Sequence, residues 1–338
     1  LINISLDVSG GDLPFEERVL GALKALRENK DLSVTLVGDE NLIGPYLSKT
    51  ENDSTILDRI KIVDSKETID MDEQPSKILT EKKKSSLGVA TELVKTGECS
   101  GIVSAGNSGA QMAAALFQLG RISSIERPGI AIPVPTIDKS IVLIDGGANV
   151  EVKPKNLYDF AVMGSIFAKV AYNVKEPKIA LINNGTEEEK GNKLTKEAYI
   201  LLKNNLPDFI GYIEGREMMA GKADVVVCDG FTGNIILKTI EGVGLSILRF
   251  LKNDFKKTPI KMLGAYLLKD TFLTLKKKMD YKEYGGAPLL GVKGISIISH
   301  GSSDNFAIKN ALLLAYKMAK EDIINKISSS ATEVLKYD

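Results

Sequence analysis

The sequence predicts an α/β protein, a mostly parallel sheet covered by helices. Short continuous apolar runs, rich in β-branched residues, recur along the chain, as strands buried on both faces require. Each run ends in a Gly-rich polar loop, and helix-like segments lie between the runs. Of the 338 residues, 43% are hydrophobic and 26% charged, so the chain can fill a large core and is not disordered over most of its length.

The first run, 2–8, enters Ser9-Gly10-Gly11-Asp12, and a helix is expected over 16–29. A helix over 77–96 precedes the second run, 101–103, which enters Ser104-Ala105-Gly106-Asn107-Ser108-Gly109. The third, 140–144, enters Asp145-Gly146-Gly147-Ala148-Asn149 and a helix over 156–172. The fourth, 178–182, enters Asn183-Asn184-Gly185-Thr186 and a helix over 193–204. The fifth, 223–227, reaches Asp229-Gly230-Phe231-Thr232-Gly233-Asn234 and a helix over 235–250. The sixth, 295–298, leads through Ser299-His300-Gly301-Ser302-Ser303 to a helix over 305–327. Parallel crossovers place the carboxyl ends of all strands on one edge, so all these loops are expected there, lining one polar ligand site. A sharp turn from strand to helix explains one or two glycines per loop. It does not explain the Asp, Asn, Ser and Thr that accompany them. No GxGxxG follows a first strand and no GxxxxGK[ST] is present, which weakens dinucleotide and P-loop readings.

Composition narrows the function. The 44 basic residues balance 44 acidic ones, which argues against wholesale nucleic-acid binding. Two cysteines, Cys99 and Cys228, provide neither a disulfide framework nor a cysteine-rich zinc site, and suit a reducing cytoplasm. The single histidine, His300, excludes metal sites that need two. No cofactor or metal is called for. Residues 1–7 have no signal-peptide character, and no run reaches the length of a membrane span. One segment departs from the pattern: 255–279, FKKTPIKMLGAYLLKDTFLTLKKKM. Its centre, 260–275, is apolar almost all round, edged by Lys256, Lys257, Lys261 and Lys269 and closed by Lys276, Lys277 and Lys278. Such a helix either lies in the interface of an anionic membrane or is a core or dimer helix whose lysines reach water.

The motifs SLDVSGGD, VSAGNSGA, IDGGANV, NNGTEEEKGN, CDGFTGN, YGGAPLLG and SHGSSD, in this order, resemble those of the PlsX family, the bacterial acyl-acyl carrier protein (acyl-ACP):phosphate acyltransferases of phospholipid synthesis. The resemblance covers essentially the whole chain. Single glycine loops are weak signals, but the ordered set is specific. Departures are small: Ser9 stands where the family often has Met, Ser108 for Thr, Gly146 for a bulkier residue and Glu151 for Asp.

The resemblance implies that inorganic phosphate attacks the thioester of a long-chain acyl-ACP, releasing acyl phosphate and free carrier protein. A membrane glycerol-3-phosphate acyltransferase then consumes the acyl phosphate. It implies a three-layer α/β/α sandwich, related to isocitrate and isopropylmalate dehydrogenases and to phosphotransacetylase. It also implies a single domain over 1–338, either undivided or of two lobes around a cleft, and a homodimer. A protruding amphipathic helical region over 245–280 would carry a membrane tip at Ile260, Leu263, Tyr266 and Leu267. The protein would be cytoplasmic, peripherally bound to the anionic inner face of the bacterial membrane. Lys190 and Asn234 fall at the family's functional positions.

The residues support this chemistry on their own terms. Phosphate is already an anion and needs no base, and a thiol with a pKa of about 8.5 leaves as thiolate with little acid help. Positioning and oxyanion stabilisation remain, which Gly-rich turns and a lysine supply. Lys190 either holds phosphate or neutralises the adjoining Glu187, Glu188 and Glu189. Asn234 donates to the oxyanion or caps the helix that follows it, or both. Asn107, Ser108 and Gly109 either hold phosphate or serve the turn, as do Gly185 and Gly233 in theirs. Gly10, Gly11 and Asp12 shape the cleft edge, and Asp229 orients Lys190 or is structural. His300 contacts phosphate or is a satisfied structural histidine. Cys228 is read as a small core residue rather than as an acylated nucleophile. Basic patches for the acidic carrier are Lys82 to Lys84, read by preference as a solvated face, and Lys252, Lys256 and Lys257. The competing readings are an acyl-CoA-using phosphotransacetylase-like enzyme, a β-decarboxylating dehydrogenase lacking a convincing acidic cluster, and a non-catalytic membrane scaffold.

Overall fold

The computed structural model describes residues 1–333. Residues 334–338, counted in the single domain expected from sequence, and the side chains of Lys276, Met279, Thr332 and Glu333 lie outside the described residues. The first half of the chain contains β1 (Ile2–Asp7), α1 (Phe15–Glu28), β2 (Leu32–Gly38), α2 (Glu40–Thr50), α3 (Ser54–Leu57), β3 (Ile60–Asp64), α4 (Ser86–Lys95), β4 (Gly101–Ser104) and α5 (Ser108–Ala114). Next come β5 (Gly129–Pro135), β6 (Ser140–Ile144), α6 (Pro154–Tyr172), β7 (Ile179–Ile182), α7 (Lys193–Asn205), β8 (Phe209–Ile213), α8 (Gly215–Met219) and β9 (Val225–Val227). The chain closes with α9 (Gly230–Phe255), α10 (Pro259–Leu267), α11 (Lys269–Met279), β10 (Ala287–Leu290), β11 (Ile295–Ile298), α12 (Asn305–Lys320) and α13 (Ile323–Glu333).

All these strands join one 11-stranded sheet in the order β3-β2-β1-β4-β11-β10-β5-β6-β9-β7-β8. The predicted α/β fold with a mostly parallel sheet is what forms. The single shared edge is not. Strands β3, β2, β1, β4 and β11 are mutually parallel, as are β6, β9, β7 and β8. Between the two sets, β10 and β5 make three consecutive antiparallel pairings. The second set therefore runs opposite to the first. The loops after β1, β4 and β11 leave one end of the sheet, and those after β6, β7 and β9 leave the other. Six steps separate β1 from β9, and right-handed twist of about 20–25° per step sums to roughly 120–150°. That rotation turns the two sets of carboxyl ends back toward each other. Ala148, in the loop after β6, accordingly packs on the apolar cluster that holds Ala110 and Ala114 of the first set, as does Ile298.

Burial explains why the predicted strands form. Ile4, Leu6, Ile141, Val142, Leu143, Ile144, Val225, Val226 and Val227 are fully buried. Helix α6 buries 14 of its 19 residues, so it is a core helix. Helix α1 turns Val19, Ala22, Leu23 and Leu26 inward at helical spacing and packs against α12. Each buried Leu or Val contributes about 1.5–3 kcal/mol.

Several helices differ from expectation. The 77–96 helix divides into a 3₁₀ turn over Pro75–Leu79 and α4, because Ser85 accepts the Gly88 N–H and starts a new helix. The 305–327 helix breaks at Asp322, which takes a left-handed φ of 52° between α12 and α13. The 255–279 segment is two helices, with Thr258 capping α10 and Leu268 separating it from α11. Helix α10 buries none of its residues. Among the described residues, no helix is long and apolar enough to cross a membrane.

Candidate active site

Each half of the sheet organises its loops around a buried aspartate. At the end of β1, Asp7 is 1% exposed. Its Oδ1 accepts the N–H of Ser9 at 3.2 Å and of Gly10 at 3.1 Å. Its Oδ2 accepts the Ser104 hydroxyl at 2.7 Å, and Ser104 Oγ in turn accepts the Gly106 N–H. The loops after β1 and β4 are thereby tied together. They touch so closely that a Cβ on Gly10 would stand 2.9 Å from Gly106 Cα, which only glycine tolerates. The β11 loop joins them: Asp12 N–H donates to Gly301 O at 2.9 Å.

Asp145, just past β6, is fully buried. Its two oxygens accept five donors: the N–H groups of Ile130, Gly147, Ala148 and Asn149, and the Asn149 side-chain amide. The Gly230 N–H donates to Asn149 O at 2.7 Å, which docks the start of α9 onto this loop. Gly233 packs directly on the Asp145 carbonyl, so a side chain there has no room.

These clusters bring together most of the residues singled out in the sequence. Gly10, Gly11, Asp12, Asn107, Ser108, Gly109 and His300 sit on the first set of loops. Asn234 lies beside Gly147, on the second. Lys190 and Gly185 form a third group after β7, the strand next to β9. Its loop folds back so that Lys190 Cγ lies 3.0 Å from the place of a Cβ on Gly185.

The state of each side chain refines its role. Lys190 is exposed and its amine makes no hydrogen bond or ion pair among the described residues. Of the acidic run beside it, Glu188 is engaged elsewhere, accepting Lys203 Nζ at 2.6 Å and Tyr199 OH at 2.8 Å. Those contacts hold the Glu188 carboxyl below its ordinary range, Lys203 contributing most. Asn234 is exposed on the second turn of α9, which begins at Gly230 rather than at 235. It is therefore not the cap of that helix. Asp229 is: its Oδ1 accepts the Thr232 N–H at 2.8 Å and its Oδ2 the Thr232 hydroxyl. Asp229 is structural, and both its carboxylate oxygens are engaged there rather than on Lys190.

Asn107 is committed to the fold. Its Oδ1 accepts the Ala110 N–H and caps α5, while its amide donates to the carbonyls of Asp70, Met71 and Glu73. That leaves Ser108, whose exposed hydroxyl has no partner among the described residues, as the free polar side chain of this turn. His300 is exposed; its Nδ1 accepts the Ser302 N–H at 3.1 Å, so the neutral ring carries its proton on Nε2. Tyr281 lies against it, ring centroids 5.2 Å apart. Asp12 is exposed, and its carboxylate crowds Gly301. Cys228 is buried with its thiol toward the Asp145 carbonyl at 3.4 Å. Burial pushes that thiol up, which keeps it protonated and inert.

Sequence reasoning missed the two hubs, Asp7 and Asp145, and the partners Ser104 and Asn149. A signal was present. In both places an Asp ends an apolar strand and is followed within four residues by Gly-Gly.

Comparison with known proteins agrees with this architecture. A family model described as "Fatty acid synthesis protein" matches residues 2–326. The phosphate acyltransferase of a Nitratiruptor species is 47% identical over 335 residues, 99% of both chains. That of Clostridium tetani is 45% identical, covering 98% of this chain and 99% of its own. In fold, the chain is similar to the EutD phosphotransacetylase from Staphylococcus aureus, with a TM-score of 0.63, 18% identity and 94% of both chains covered. A phosphotransacetylase from Streptococcus pyogenes gives a TM-score of 0.64 at 20% identity, over 95% of this chain and 94% of that one. The full-length identity, together with the ordered loops built on Asp7 and Asp145, establishes that this chain belongs to the PlsX family of phosphate acyltransferases, enzymes that transfer acyl groups.

Proposed function

We propose that the chain transfers a long-chain acyl group from the thioester of an acidic acyl carrier protein to inorganic phosphate, supplying acyl phosphate for phospholipid synthesis. The observation that carries this reading is an apolar surface rooted in the site itself. Phe231 and Ile235, 59% and 50% exposed, flank Asn234 at the start of α9. Val243, Ile247 and Phe250 continue the exposed apolar surface along α9, and Ile260, Leu263, Tyr266 and Leu267 of α10 are 60–84% exposed. A short-chain transferase working in water has no use for such a surface.

In this reading Lys190, unpaired beside Gly185, holds the phosphate as a point charge. A phosphate oxygen attacks the thioester carbon and forms the new C–O bond. The Asn234 amide donates to the oxyanion of the tetrahedral intermediate. The C–S bond then breaks and the carrier's thiolate departs, taking a proton from solvent. Asp7 and Asp145 hold the loops so that these groups are already in place when the substrates arrive. Ser108 and His300 Nε2 contribute further donors to the phosphate. The chain acts as a single domain of two lobes, the halves of its sheet, around the cleft. The exposed faces of α9 to α11 serve a homodimer and rest on the anionic inner face of the cytoplasmic membrane, where a glycerol-3-phosphate acyltransferase takes up the product.

The test is a phosphorolysis assay with purified protein, phosphate and palmitoyl-acyl carrier protein, trapping acyl phosphate as hydroxamate. Phosphate-dependent hydroxamate is expected. Equal or faster turnover of palmitoyl-CoA would replace this reading with a phosphotransacetylase-like one, which the shared fold also accommodates. No product from folded protein would leave a scaffold.

A further inference from the structure

Residues 65–85 form a wall against the loops after β4 and β11. Asn107 grips it through the carbonyls of Asp70, Met71 and Glu73, and Gly109 packs on Pro75. The Met71 side chain lies over Gly301. On the outer side of this wall a groove of about 640 Å³ runs along α4 and the π-helical turn Ala115–Leu119 that extends α5. Its floor includes Leu79, Val89, Leu93 and Phe117. Phe117 is 69% exposed, an aromatic side chain without cover. π-Helical turns of this kind are frequent at functional sites.

The charges around the groove are unevenly matched. Glu92 pairs with Lys95, and Glu98 with Lys61. Lys82, Lys83 and Lys84, at the end nearest the wall, make no hydrogen bond or ion pair through their amines among the described residues, and Lys83 lines the groove. In the other basic patch, Lys252, Lys256 and Lys257, only Lys257 has an ion pair among the described residues, with Asp254 at 3.0 Å. Sequence alone reads Lys82 to Lys84 by preference as an ordinary solvated face; the groove beside them is what the structure adds.

We infer that this groove is the docking surface for the acidic carrier protein, an inference that rests on the acyl-ACP reading above. An amphipathic helix of the carrier lays its apolar face on Phe117, Val89 and Leu93, and its carboxylates meet Lys82, Lys83 and Lys84. Docking there sets the tethered thioester beside the wall that Asn107 anchors to the site loops. Lysines so placed raise the rate of encounter and make it sensitive to salt.

The experiment uses the full chain and two variants, K82E/K83E/K84E and Phe117→Ala, each checked by circular dichroism and thermal melting. Palmitoyl-acyl carrier protein is the substrate, and binding of the unacylated carrier is followed by fluorescence anisotropy. The charge variant is expected to raise KM and the carrier Kd on the order of tenfold or more, with kcat at saturation within about twofold and the salt dependence largely lost. Phe117→Ala is expected to raise both several-fold, about three- to tenfold. Unchanged KM and Kd in folded variants would overturn the docking site. So would a charge variant that is silent while Phe117→Ala shifts the preferred acyl-chain length, since the groove would then hold the acyl chain. If wild-type protein fails to turn over or bind carrier, the functional reading itself fails, and this site with it.

Discussion

The two halves of the sheet use one device toward different ends. In each, a buried aspartate at a strand terminus gathers the N–H groups of a Gly-rich loop, Asp7 in the first half and Asp145 in the second. In each, the neighbouring strand starts a helix with an Asn or Asp cap: Asn107 on α5 and Asp229 on α9. The halves then diverge. The first leads into α1 and α12, which pack on each other and bury their apolar faces. The second leads into α9, where only Gly230, Gly233 and Gly244 are buried. Helix α6 of the second half also lies in the core, but α9 carries its apolar surface out of the fold, beginning at the residues that flank Asn234, as neither α1 nor α12 does. The aspartate hub thus provides a rigid loop whatever follows it, and the helix after the loop decides between stability and function.

This contrast can be broken most severely at Lys190, which belongs to the outward-looking half but supports nothing in the fold. Lys190→Ala is expected to lower turnover on the order of 10²–10³-fold with an unchanged melting temperature. A near-normal rate would remove it from the site. The hubs should behave in the opposite way. Asp145→Ala removes the acceptor of five partly buried donors and is expected to cost about 3–5 kcal/mol, enough to prevent folding or lower the melting temperature steeply. Asp7→Ala unpairs fewer groups and should cost about 1–3 kcal/mol. Equal losses from the two would show that the number of bonds does not set the difference. Gly233→Ala forces a methyl against the Asp145 carbonyl and should cost about 1–3 kcal/mol, with Gly242→Ala, in open space, as the neutral control.

Much of the fold was legible because buried strands are continuous apolar runs, as over 140–144 and 295–298. Beyond β2, which is buried almost throughout but ends in no Gly-rich loop, what escaped were strands with mixed burial or proline. Strand β3 has no fully buried residue, and β5 and β10 carry Pro133, Pro135 and Pro288. Those last two strands reverse the second half of the sheet. Strand direction leaves no trace in composition, so the expectation of one common edge followed and was wrong. The site was legible as loops but not as a geometry. Asn107 and Asp229 are sequence-typical caps and act as caps. Whether Glu188 was available to Lys190 depended on Lys203 and Tyr199, which the fold of the loop against α7 brings to its carboxylate.

That last arrangement yields the smallest expected effect and the finest test of the comparison. Glu188 tethers the Lys190 loop to α7 through Lys203 and Tyr199 without touching the core of either half. Its carboxyl is held below the usual range, so its contribution is fully present above the ordinary Glu pKa. It is lost only as the pH falls through the lowered folded value. Glu188→Gln should raise KM for phosphate by no more than about threefold and leave kcat unchanged, because an exposed tether contributes little. Inorganic phosphate itself passes between monoanion and dianion within the pH range followed, so the quantity to follow is the ratio of variant to wild-type KM, from which its ionisation cancels. That ratio should stay constant from about pH 8 to about pH 5 and approach one only below the ordinary Glu value of about 4.3. A ratio that changes around neutrality would mean that another group holds the loop. A change in kcat would place Glu188 in the chemistry rather than beside it.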